Sequence, residues 1–378
     1  MNYKKLLSIA SCMFLFACSS PEKKVETTPD TFEITAGVNI SHWLSQVYGF
    51  SDRATFFTKA DVQLIDSLGF DHIRIPIDEK EMWNEDGTPI SEAFSYLTHA
   101  IEWCLEYNIR VIVDLHIIRS FYFNAGNEGG ENTLFSDPKE QEHFYSLWQE
   151  LSDTLKRFPT HMVAYELLNE AVAENPEDWN TLVAHGVAVI REQEPTRIIF
   201  IGSNNWQIAA TFPALRVPEN DTNLVLSMHN YDPILFTHYK ANWTEFSDFD
   251  DSVSYPGIII SEETYEKNKN KYPGFRGFED GKNAYGPETF ETIFKPALEK
   301  AQELGLPLYC GEFGALPYVK REHRLQYYRD IVSVFKKHSI AYTAWDYKGL
   351  FGIRGWDSET NTNTYLDTEL AEIVVGVK

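Results

Sequence analysis

An α/β barrel built from eight strand–helix units is the fold class this sequence predicts, and three observations carry the prediction. The 378 residues are 43% hydrophobic and 14% aromatic, enough to bury a large core. From residue 33 onward, short apolar runs rich in Val, Ile and Tyr alternate with longer segments of helical periodicity. The apolar runs are nearly continuous rather than alternating, which suits parallel strands covered on both faces. Eight βα units in roughly 340 residues fit a (β/α)8 TIM barrel better than an open doubly wound sheet.

The first residues stand outside that pattern. "MNYKK" is a short basic start, and "LLSIASCMFLF" is an apolar stretch too short to span a bilayer as a mature helix. It ends in "LFAC", Leu15 to Cys18, which resembles a bacterial lipoprotein signal. The resemblance implies cleavage before Cys18 and lipid on its thiol. Residues 1–18 are then a signal peptide, 19–32 a polar tether ("SSPEKKVETTPD" and its continuation) and 33–378 the folded domain. The expected location is an exported lipoprotein on a periplasmic or cell-surface membrane face. A plain secretory signal containing a cysteine is the alternative.

The barrel units follow in order. "FEITAGVNI" is the first strand, and a helix around Asp61 to Leu68 places Val62, Ile65 and Leu68 on one face. "DHIRIPID" precedes the helix "LTHAIEWCLEY". "IRVIVDLH" leads into an aromatic, Gly-rich loop (117–137) and the helix "EQEHFYSLWQELSDTLKRF". "MVAYELLNE" is followed by "WNTLVAHGVAVIREQ", and "RIIFIGSNN" by "LVLSMHNYDP". After an irregular segment come "FETIFKPALEKAQEL", "LPLYCGEFG", "RLQYYRDIVSVFKKH" and "IAYTAWDYKG". The segment of about 233–287 is rich in Tyr, Asn, Asp and Lys and breaks the rhythm. Fifty-odd structureless residues do not belong in a compact domain. It reads as a subdomain inserted after strand six, on the rim of the βα loops.

Composition narrows the function. A formal net charge of −23 leaves nothing to neutralise a phosphate backbone, which excludes nucleic acid as a partner. Nine Trp, twenty Tyr and twenty-five Phe suit flat sugar-binding surfaces or large core side chains, and composition leaves both open. Once the signal and Cys18 are set aside, Cys104 and Cys310 remain, each flanked by apolar residues and read as buried rather than paired. No Cys or His spacing suggests a zinc site, and no metal is expected.

Several strands end in groups that do not belong in a core. Strand two carries Arg74 and strand three ends at His116. Strand four ends at Asn169 and Glu170, strand six at His229 and Tyr231; strand seven carries Glu312 and strand eight Trp345. Singly, each has a structural explanation. Together they count, because barrel geometry points all these ends at one rim. Two carboxylates facing each other there suggest glycoside hydrolysis, which needs one protonated acid and one ionised carboxylate. Arg74 and Tyr231 near Glu312 would favour its charge, while burial would keep Glu170 neutral. Asn169 would offer its amide to the sugar 2-hydroxyl, and Trp345 a flat face to a pyranose ring.

The stretches "GVNISHWL", "LEYN", "NTLFSDP", "AYELLNE", "FTHYKANW", "LYCGEFG" and "AWDYKG" resemble family 5 glycoside hydrolases across the whole mature domain. They are similar in particular to single-domain bacterial endoglucanases of the endoglucanase C type. The resemblance implies a retaining double displacement with Glu312 as nucleophile and Glu170 as acid/base. It also implies a substrate-binding shell of Arg74, His116, Asn169, His229, Tyr231 and Trp345, and no metal or organic cofactor. The substrate it implies is a cellulose-like or mixed-linkage β-glucan cut at β-1,4 bonds by a monomer. A related specificity (β-mannan, xyloglucan, β-1,3-glucan) and a lipid-anchored glycan-binding protein without turnover are the alternatives. One departure stands out: many family members follow the strand-three histidine with a second one, and Ile117 stands here instead.

If Cys18 carries lipid, Cys18→Ser should move the protein from the membrane to the soluble exported fraction. Unchanged membrane partition in that variant would sink the anchor.

Overall fold

Eight parallel strands bury both faces and close on themselves: β1 (Ala36–Asn39), β2 (His72–Asp78), β3 (Arg110–Ile117), β4 (Val163–Glu166), β5 (Ile199–Gly202), β6 (Leu224–Asn230), β7 (Leu308–Phe313) and β8 (Ala341–Ala344). They follow chain order around the barrel, and β1 pairs with β8 to shut it, Ala36 opposite Tyr342 and Val38 opposite Ala344. This is the TIM barrel with an insert after strand six. The computed structural model describes residues 31–47, 52–124, 132–273, 276–357 and 362–376; the signal, Cys18 and the tether to residue 30 lie outside the described residues.

The surrounding helices begin where local chemistry tells them to. They are α1 (Lys59–Ser67), α2 (Ser91–Glu106), α3 (Pro138–Leu155), α4 (Pro176–Gln193), α5 (Pro287–Leu304), α6 (Arg321–Lys337) and α7 (Thr368–Val375). At α1, the Asp61 carboxylate reaches back to accept the Thr58 backbone N–H at 2.9 Å. Helices α3 and α4 share one device. Asp137 and Asn175 accept the backbone N–H two residues on, at 2.9 and 3.1 Å, and Pro138 and Pro176 take the first helical position, where no N–H is needed. Helix α5 stops at Gly305, whose φ of 66° suits a residue without a side chain. Between β5 and β6 the connection is only a short 3-10 turn, Ala209–Ala214.

The barrel interior is divided by depth. Its lower part is apolar: Ile112, Ala164, Phe200 and Tyr309 pack together with Phe32 and Ile34 against them. Phe200 meets Tyr309 edge-on with ring centroids 4.9 Å apart, and Phe32 meets Phe200 at 6.0 Å. Above this floor the inward positions turn polar. The outer layer, between strands and helices, forms the main apolar core and holds buried tryptophans such as Trp148 and Trp179.

Two readings need adjustment. Strand four was expected to run to Glu170, but β4 ends at Glu166, and the chain turns so that Glu170 has φ 47°. The segment between stays apolar and buried, which is why it reads as strand: Leu167 N–H still donates to Phe200 O at 3.1 Å and Asn169 N–H to Leu115 O at 3.0 Å. Likewise the first strand is only Ala36–Asn39 of "FEITAGVNI". Neither α7 nor the antiparallel pair Arg354–Asp357 with Thr362–Leu366 stands out in the sequence.

Between β6 and α5, residues 233–287 form a body with its own small core. It carries the helices Ile234–Thr237 and Glu262–Asn268 and a two-stranded piece pairing Gly257–Ile258 with Ala284–Tyr285. Phe249, Tyr265, Tyr272 and Phe278 pack as an aromatic cluster, Tyr265 stacked on Phe278 at 5.4 Å. The body is fastened to the barrel. Tyr255 donates its hydroxyl to Asp330 of α6 at 2.8 Å, and Leu316 N–H, beyond β7, donates to Thr237 O at 2.8 Å.

The barrel seam has no spare room. Gly37 on β1 lies opposite both His72 and Thr343, and a Cβ there would sit 2.5 Å from His72 Nε2. His72 is locked by Thr343 Oγ1 at 2.7 Å and Asp71 Oδ1 at 2.6 Å. Gly37→Ala is therefore expected to destabilise the fold by about 1–3 kcal/mol. Chemical denaturation measures it, and wild-type stability would mean that the His72 ring swings aside.

Candidate active site

The register of the strands stacks polar side chains at one height. Asn39 lies opposite Arg74 across β1 and β2, Asp114 opposite Glu166 across β3 and β4, and His229 opposite Glu312 across β6 and β7. Arg74 is fully buried at their centre. Its Nε donates to Glu166 at 2.6 Å, its Nη1 to Asn39 at 3.0 Å and to Glu312 at 2.8 Å. Its Nη2 donates to Asn169 Oδ1 at 2.9 Å and lies 3.0 Å from Asp114 Oδ2. The other oxygen of Glu166 accepts from Ser227 Oγ at 2.8 Å and Gln207 Nε2 at 3.1 Å.

All eight rim residues named from the sequence meet in this region. Glu170 and His229 Nδ1 share a hydrogen bond of 2.8 Å, and Tyr231 donates its hydroxyl to Glu312 Oε2 at 2.9 Å. His116 Nδ1 lies 2.6 Å from Asp114 Oδ2, and its ring stacks on Trp345 at 5.8 Å with planes 10° apart. Trp345 follows β8 directly and packs against Ala241, Leu316 and Phe351. Ile117, in place of a second histidine, is half-buried at the end of β3. Around Arg74 and the two glutamates, three buried side-chain atoms have no hydrogen-bond partner among the described residues: the Asn169 Nδ2 donor, His229 Nε2 and Asp114 Oδ1. Asn169 Nδ2 is a donor and His229 Nε2 a donor or acceptor, so each can bond a ligand hydroxyl.

Sequence reasoning missed Asp114, Glu166, Ser227 and Gln207. A signal existed for two of them. Asp114 and Glu166 are carboxylates inside otherwise apolar strands, "VIVDLH" and "VAYELL", and a charge there requires a buried counter-charge.

The two carboxylates differ in their surroundings. An oxygen of each, together with a His229 ring nitrogen, falls within 4.8 Å of one another. Burial and then the neighbouring Glu312 charge push the Glu170 carboxyl well above the usual range. Burial pushes Glu312 up too, but the Arg74 guanidinium and the Tyr231 hydroxyl pull it back. Burial, with Arg74 beside it, keeps His229 well below its ordinary value and therefore neutral; burial holds His116 down at about 4. The site thus raises both carboxyls, Glu170 well above the usual range and Glu312 less far, because Arg74 and Tyr231 offset part of the effect of burial. The same trio, Glu170, His229 and Glu312, has the donor set to hold a divalent cation.

Two buried carboxyls in unequal surroundings on the rim of a (β/α)8 barrel, beside the stacked rings of Trp345 and His116, define a carbohydrate-hydrolysing enzyme. Comparison with known proteins gives the family. Residues 30–350 match Cellulase (glycosyl hydrolase family 5), and the chain belongs to that family. It is 33% identical over 318 residues to Endoglucanase C of Acetivibrio thermocellus, covering 83% of this chain and 91% of that one. It is also 33% identical over 350 residues to Cellodextrinase A of Ruminococcus flavefaciens, covering 90% and 93%. Among solved structures, Thermotoga maritima Cel5A in complex with cellobiose superposes with a TM-score of 0.71 at 23% identity, covering 91% of this chain and 97% of that one. A further glycoside hydrolase gives 0.74 at 21% identity, covering 91% and 99%.

The Glu312 charge raises Glu170, so removing it must lower Glu170. In Glu312→Gln, the Glu170 carboxyl should titrate at lower pH than in the wild type, measured by carbon NMR on labelled glutamate. An unchanged or higher titration point would mean that the two groups do not sense each other.

Proposed function

We propose that the protein is an endo-acting β-glucanase that cleaves β-1,4 bonds of a cellulose-like or mixed-linkage glucan by a retaining double displacement. The observation that carries the mechanism is the close carboxylate pair in unequal environments: an oxygen of Glu170 and one of Glu312 lie within 4.8 Å, closer than the separation that admits a water between a general base and the anomeric carbon. Retaining glycosidases hold their carboxyls about 5–5.5 Å apart, inverting ones about 6.5–9.5 Å. The relatives bearing the names endoglucanase and cellodextrinase support a β-glucan substrate.

In this reading Glu312, ionised against Arg74 and held by Tyr231, attacks the anomeric carbon. Glu170 gives its proton to the departing oxygen, and the new negative charge spreads onto the His229 hydrogen bond. As the ester forms, the Glu312 charge disappears, which lowers Glu170 towards the pKa of a base. Glu170 then takes a proton from the incoming water, and the sugar leaves with its configuration retained. In the same reading Asn169 Nδ2 holds the 2-hydroxyl and Trp345 stacks on the sugar ring. The chain is further proposed to be tethered through Cys18 to a membrane face, on the strength of "LFAC" alone.

Azide separates the two roles. Glu312→Ala has no covalent route and should be almost inert even on an aryl glycoside with a good leaving group. Glu170→Ala should lose about 10²–10⁴-fold on unactivated glucan. On the activated glycoside it should form the ester and stall, and azide should rescue it with a β-glycosyl azide after two inversions. Azide added to Glu312→Ala should give the α-azide. Swapped anomers would reverse the assignment, and an inverted product from the wild type would exclude the double displacement.

A further inference from the structure

From the geometry of the turn after β5, we infer that Gln207 is a positioning residue that sets the acid/base, an inference that rests on the roles proposed for Glu170 and Glu312. After Gly202 the chain makes three successive left-handed residues, Asn205, Trp206 and Gln207, with φ of 55°, 60° and 56°. None is glycine, and non-glycine residues adopt this conformation only where the surrounding structure enforces it. The run folds the Gln207 side chain back over the end of β5 into the barrel, where it is fully buried. Gly202 makes this possible. A Cβ on Gly202 would lie 2.2 Å from Gln207 Cγ and 2.3 Å from Cδ.

What the buried amide touches gives it a role. Its Oε1 accepts the backbone N–H of Glu170 at 2.7 Å, and Glu170 is itself left-handed, so that N–H points away from any strand partner. The backbone carbonyl of Gln207 accepts the His229 N–H at 3.0 Å. One residue therefore pins the main chain under both members of the Glu170–His229 hydrogen bond. Its Nε2 donates to Glu166 Oε1 at 3.1 Å and to Ser227 O and Oγ at 3.2 and 3.1 Å. Glu166 in turn holds Arg74, and Arg74 holds Glu312. A buried glutamine serving only to fill space would satisfy whatever backbone lay nearby. This one links, through one amide and two ion pairs, the two carboxylates that must stay a fixed distance apart.

Mispositioning the acid is felt most when the leaving group needs a proton. The test compares kcat/KM on two aryl β-cellobiosides, one with 2,4-dinitrophenol as leaving group and one with phenol, in variants checked for folding by thermal melts. Gln207→Met keeps the length and removes the hydrogen bonds. It should lose at least tenfold more activity on the phenyl than on the dinitrophenyl substrate, in the direction of Glu170→Ala measured alongside. Gln207→Asn keeps the amide but is one methylene too short to span its partners; it should show the same bias more weakly, and it serves if Gln207→Met does not fold. Equal losses on both substrates, or none, in a folded variant would overturn the positioning role. If Glu170→Ala itself shows no leaving-group bias, the proposed role of Glu170 fails; if it does and the Gln207 variants do not, only the present inference fails.

Discussion

One buried guanidinium holds the site together. Arg74 donates to oxygens of Glu166, Asn39, Glu312 and Asn169, and it pairs with the Asp114 carboxyl at 3.0 Å. Those oxygens come from β1, β3, β4, the turn after β4, and β7, so a single side chain on β2 fixes elements from half the barrel's circumference. Burying such a charge is costly, and only complete pairing offsets it; removing one partner of a buried pair typically costs about 3–5 kcal/mol. Three carboxylates around one cation leave excess negative charge. Burial, and the nearness of Glu166, force Asp114 well up, towards its neutral form. The guanidinium thus counters, for each acid around it, part of the upward push that burial exerts.

That arrangement explains how two identical side chains come to behave differently. Glu312 lies on a strand, in direct reach of Arg74 and Tyr231. Glu170 lies past the end of its strand, in a left-handed turn that lifts it away from the guanidinium and against a neutral imidazole. The asymmetry is one of backbone placement.

The barrel and the rim residues were legible because parallel strands buried on both faces read as apolar runs, against which Arg74, Glu170 or Glu312 stand out. Boundaries were less legible. Leu167 and Leu168 stay buried after the ladder with β3 has ended, and nothing in their side chains marks the change. Asp114 and Glu166 carry as strong a signal as the strand ends, but as mid-strand charges they declare a need for a partner without naming it. Gln207 carried none. Its contribution depends on three backbone angles that no residue type in "NWQ" requires, and on the hydrogen that Gly202 has in place of a side chain. Local propensity is blind to a conformation that only the assembled barrel imposes.

The inserted body of residues 233–287 has an aromatic core of its own and is bolted to α6 through Tyr255 and Asp330. Its near end reaches the site: His238 packs on Tyr231 at 5.0 Å, and the half-exposed Trp243 packs on His238 at 6.1 Å. A hanging loop at that position would have to surrender its conformational freedom each time a polymer lay against it, at about 0.5–1.5 kcal/mol per immobilised side chain. Here that entropy is already lost when the protein folds. A glucan passing Tyr231 meets a surface as rigid as the barrel, and its binding there should carry the thermodynamic signature of docking to a solid wall rather than of ordering a flap.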